Sequence, residues 1–83
     1  MNYQIAQIRL ENDCIWEPIL KDSQFDEDVV KEFCRSHPEY YLNKIKLDGF
    51  CELCVEVRNS DSNINKYNVY IDQLHSFFIT KVQ

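Results

Sequence analysis

Apolar and polar residues alternate with a period of two along several short stretches of this chain, and with a period of three to four along one. That pattern predicts strands and a single principal helix. Over residues 3–10 an extended backbone sets Ile5 on one side and Ala6, Ile8 and Leu10 on the other. A turn at Glu11-Asn12-Asp13 follows, after which Cys14-Ile15-Trp16 returns as a short strand. Pro18 has no N–H to give to a ladder, so the residues beside it belong at a sheet edge or in a connection.

Residues 24–36 place Phe25, Val29, Val30, Phe33 and Cys34 on one stripe, as in a helix with one buried face. Asp22 or Ser23 supplies its cap. Asp26, Glu27 and Asp28 crowd the first turns while Lys31 and Arg35 come later, in the order the helix dipole favours. Glu27 and Lys31 stand at the i,i+4 spacing of an ion pair. Pro38 ends the helix at about His37. Beyond it the signals divide: Pro-Glu-Tyr-Tyr-Leu starts a helical turn with Pro38 at its first position, whereas residues 40–47 read equally as a strand. The balance favours one turn and then a short strand from Lys44, with Asp48-Gly49 as a type I′ hairpin turn.

The clearest strand covers 50–58, with Cys51, Leu53, Val55 and Val57 on one face and Glu52, Cys54, Glu56 and Arg58 on the other. A polar loop at 59–63 leads to a segment in which Tyr67, Val69 and Ile71 oppose Lys66, Asn68 and Tyr70. A turn near 72–75 precedes a last strand at 77–82. Two strands, a helix and three or four further strands predict an α+β fold: a mainly antiparallel sheet of about four to six strands with one amphipathic helix on one face.

The second face of that sheet has no helix to cover it. Tyr3, Tyr40, Tyr41, Tyr70 and the pair Phe77-Phe78 cannot all point into one core, because adjacent strand residues face opposite ways. An exposed aromatic patch is a candidate recognition surface, with Tyr3, Tyr41, Tyr70 and Phe78 as its members. Ordinary boundary packing, or burial in a homodimer, accounts for such residues as well.

Composition narrows the class. Eighty-three residues make one domain, 1–83, with a modest core. The apolar fraction of 45%, with five Phe, five Tyr and Trp16, is too rich for a disordered chain. Acidic residues outnumber Lys and Arg by 14 to 9, for a formal charge of −5, which disfavours direct binding to a phosphate backbone. No stretch approaches the ~18 apolar residues of a membrane span, and Met1-Asn2-Tyr3-Gln4 lacks the features of a secretory signal. A cytoplasmic location follows as the expectation, with the four cysteines as thiols or metal ligands rather than disulfides.

Two pairs, Cys34 with His37 and Cys51 with Cys54, have the spacing of a tetrahedral zinc site. Against that, three strand residues span roughly 10 Å and set Cys51 and Cys54 on opposite faces. His75-Ser76 with Asp72, and His37 with Glu39, contain residue types used in catalysis, but no strained nucleophile elbow surrounds Ser76. Asp61 lies in a loop without the full calcium-loop spacing, and a single glycine makes no phosphate loop. The acids Glu27 and Asp28 offer an acidic helix face that could occupy a nucleic-acid groove on another protein, as phage and toxin-immunity inhibitors do, an analogy from charge and size alone. These features add up to a non-enzymatic interaction module without a cofactor, binding a protein partner or its own copy. A small zinc-stabilised domain is the alternative.

Overall fold

A computed structural model describes residues 3–22 and 26–83, with side chains for 5–20 and 26–83. The cap at Asp22 or Ser23, the start of the helix at 24, the place of Phe25 in its stripe and the side chain of Tyr3 lie outside the described residues. The elements are β1 (Tyr3–Leu10), β2 (Glu17–Asp22), α1 (Asp26–Ser36), a 3-10 turn (Pro38–Tyr40), α2 (Leu42–Asp48), β3 (Cys51–Arg58), β4 (Ile64–Ile71) and β5 (Phe77–Lys81).

The strands form one sheet in the order β2-β1-β3-β4-β5, each antiparallel to its neighbours. Because β2 and β3 both run against β1, the chain has to travel back along the sheet between them. α1, the 3-10 turn and α2 make that return over one face, so both helices lie on the same side. Ala6 and Ile8 of β1, Cys51, Val55 and Val57 of β3, and Tyr67, Val69 and Ile71 of β4 point towards them. Val30, Phe33 and Cys34 of α1, then Tyr41 and Ile45, close the core from above. At the start of α1, Tyr67 Oη donates to Asp26 Oδ2 at 2.7 Å, fixing the helix end to β4.

Three expectations are corrected. The short strand from Lys44 is instead the helix α2: Tyr41 and Ile45, four residues apart, both face the core, and Lys44 pairs with Asp48 at 2.6 Å on the outer side. Gly49 is accordingly the helix's left-handed C-cap (φ 84°), its N–H donating to the Ile45 carbonyl at 2.8 Å, and not part of a type I′ hairpin. The returning strand also starts later, at Glu17 rather than Cys14. Pro18 lies inside it, opposite Gln7, which is tolerated because β2 is an edge.

Candidate interaction surface

Strand register sorts the uncovered face into rows. Pro18, Gln7, Arg58 and Ile64 make one, with Leu20 and Ile5 beside it. Arg9, Glu56 and Lys66 make the next, then Cys54, Asn68 and Thr80, and finally Glu52, Tyr70 and Phe78. Phe50, just before β3, keeps the same parity and stacks on Tyr70 with centroids 5.6 Å apart and planes at 14°.

The middle of this face holds its charges in mutual contact. Arg9 Nε donates to Glu56 Oε1 at 2.9 Å, and Lys66 Nζ stands 3.9 Å from the other Glu56 oxygen and 3.7 Å from Glu11. Trp16 lies against both the Arg9 and the Arg58 guanidinium, at 4.3 and 4.4 Å from its ring. Arg58 donates to Gln7 Oε1. Glu56 is left only 5% exposed beneath this cover, an acid buried on the solvent side of the sheet. Beside it the Cys54 thiol is pushed up to about 11, by burial first and then by the hydrogen bond and charge of Glu11.

Apolar surface is left at two corners. Ile5 and Ile64 are exposed around a depression of about 470 Å³ that Gln7, Pro18 and Arg58 also line, and the exposed Leu20 pairs with Ile5 across β1 and β2. At the diagonally opposite corner Phe50, Tyr70 and Phe78 are 38%, 41% and 55% exposed. Tyr70 and Phe78 meet at 6.2 Å with planes tilted by 54°. Their rings wall a depression of about 380 Å³ floored by Cys54, Asn68 and Thr80 and edged by Glu52. Three aromatic rings, with Tyr70 in contact with both Phe50 and Phe78 and all open to water, form a continuous apolar surface.

The candidates from the sequence do not share one surface. Tyr70 and Phe78 stand together in the aromatic corner. Tyr41 is 5% exposed, packed edge-on against Phe77 and His75, and so belongs to the core. Glu27 and Asp28 are exposed on α1, on the other side of the sheet. The zinc set is divided as well: Cys34 and Cys51 are buried under the helices, while Cys54 projects from the opposite face. Burial, and then the neighbouring Cys51, pushes the Cys34 thiol up to about 12. Among the described residues no group of three or more His, Cys, Asp or Glu side chains is placed to hold a metal ion.

His37 is engaged on both nitrogens: Nδ1 lies 3.0 Å from Glu39 Oε2 and Nε2 3.1 Å from Glu17 Oε1. Its ring stacks on Tyr40 at 4.7 Å. Hydrogen bonding to Glu39, then to Glu17, raises its pKa above the ordinary histidine value. The group therefore clips β2 to the end of α1. At the other turn, Asp72 Oδ1 accepts the N–H groups of Leu74 and Ser76, at 2.9 Å each. That Asp72 oxygen shapes a turn in which His75 takes φ 61°.

Phe50 and the Trp16 contacts are additions to the sequence reading. Phe50 was reachable by parity, since it falls two residues before Glu52. Trp16 gave no such signal, because its two arginines come from strands far apart in sequence. Compared with protein families, with curated proteins and with solved structures, the chain finds no match. No helix among the described residues is long and apolar enough to cross a membrane.

Proposed function

We propose that this chain is a non-catalytic, intracellular protein-binding domain that docks an apolar segment of a protein partner on the corner formed by Phe50, Tyr70 and Phe78. The exposed, mutually packed rings are the observation that carries this reading, since such side chains dominate interface energies when a partner removes them from water. Glu52 at the rim and the net charge of −5 favour a partner segment flanked by Lys or Arg. Four free thiols suit a reducing compartment. The histidines fit a structural role, one clipped between two carboxylates and the other set against Tyr41. By occupying such a segment, the domain would inhibit or regulate the protein that carries it.

Quantitative affinity capture from the native host tests this with three proteins: the natural chain, Phe78→Ser and Leu20→Ser. A specific partner should be retained by the natural chain and by Leu20→Ser. Its recovery should fall about tenfold or more with Phe78→Ser while the circular-dichroism spectrum stays unchanged. Equal recovery on all three would refute the aromatic corner as the docking site.

A further inference from the structure

The two edges of the sheet are unlike. β2 carries Pro18 and three charged residues among its six, features that discourage a further strand. β5 reads Phe-Phe-Ile-Thr-Lys, without proline and with one charge at its end. Its free backbone groups can be assigned. The Asp72 N–H bonds to the Ser76 carbonyl at 3.2 Å and the Val82 N–H to the Lys66 carbonyl at 2.8 Å. With the register Asn68 to Thr80 and Tyr70 to Phe78, the even-numbered residues of this strand turn their N–H and C=O groups towards β4. Phe77, Ile79 and Lys81 therefore aim theirs outwards, at the open edge.

We propose that two copies of this chain associate by antiparallel pairing of β5 with β5, about a two-fold axis at Ile79. In that register Ile79 faces Ile79 of the second copy and Phe77 faces its Lys81, so every outward-pointing group of the strand finds a partner, for about six hydrogen bonds. The strand is thus complementary to itself, as a two-fold interface requires. Thr80 of the second copy lies opposite Phe78, and the two Phe78 rings become diagonal neighbours, within reach of each other. Each copy's Phe50-Tyr70-Phe78 corner then continues into the other, giving one aromatic platform across the axis. On the helix side, Ile79, half-buried in the single chain, is covered by Ile79 of the second copy, and Phe77, also half-buried, by the second copy's Lys81 and, diagonally, its Ile79. The pairing goes beyond the docking role proposed above and does not require it.

Sedimentation equilibrium of the natural chain over a range of concentrations, combined with amide hydrogen exchange, tests the proposal. A monomer–dimer equilibrium is expected. The amides of Phe77, Ile79 and Lys81 should exchange quickly in dilute protein and slow as it concentrates, whereas those of Phe78 and Thr80, bonded to β4, should be protected throughout. Ile79→Pro removes an outward-facing donor together with a half-buried side chain and should weaken association about tenfold or more. A chain that stays monomeric at millimolar concentration would overturn the proposal. So would a dimer in which exchange at Phe77, Ile79 and Lys81 does not respond to concentration, which would join through another surface. Neither outcome bears on capture through Phe78, which a monomer can still perform.

Discussion

On the helix-covered face of the sheet, Ile8, Val55, Val57, Val69 and Ile71 are withdrawn from water, one beside another across three strands. On the opposite face the residues between them include Arg9, Glu56, Lys66 and Asn68, with Phe50, Tyr70 and Phe78 gathered at one corner. The covered face gains its stability from apolar area removed from solvent. The open face is joined by charge-assisted hydrogen bonds and ring contacts that individually contribute less. Stability is therefore concentrated under the helices.

The largest expected contrast compares one residue from each side. Ile71→Ala, which empties a fully buried site, should cost about 2–4 kcal/mol in urea denaturation. Phe78→Ser, at an exposed position, should cost about 0.5–1 kcal/mol. Equal losses would place the aromatic corner in the core and erase the distinction between the faces. A smaller effect is expected from Glu56→Ala, about 1–2 kcal/mol by the same measurement, because Glu56 is buried while Arg9 and Lys66 remain partly in water. A negligible loss would mean that the polar centre of the open face contributes nothing to the fold.

Most of the sheet was legible because β3 and β4 keep strict alternation, and α1 because its apolar stripe persists over several turns. Parity alone separated Tyr70 and Phe78 from Tyr67, Val69 and Ile71. α2 was misread because seven residues hold too little periodicity to outweigh the β-forming aromatics before them. That helix exists because Tyr41 and Ile45 are buried against the sheet and Gly49 ends it. The burial of Tyr41 is hidden from the sequence for the same reason, since it depends on the helical turn. The Trp16 contacts and the His37 clip were hidden because both need the register of strands and helices distant in sequence.

The smallest effect concerns the His37 clip, which binds the edge strand to the helical layer. A histidine whose folded pKa lies above its unfolded value of about 6.5 contributes stability fully present below that value and lost as pH rises through the folded pKa. Thermal midpoints of the natural chain should therefore decline between about pH 6 and pH 8 relative to those of His37→Gln. Parallel pH profiles for the two proteins would show that Glu17 and Glu39 do not stabilise the charged ring.

The central claim is that the aromatic corner, rather than the acidic face of α1, meets the partner. Site-specific photo-crosslinking in the native host tests it most directly, with a benzoylphenylalanine placed in turn at position 78 and at position 27. The account predicts a discrete crosslinked protein from position 78 and none from position 27. A crosslink from position 27 alone would contradict it and move the interaction to the acidic helix.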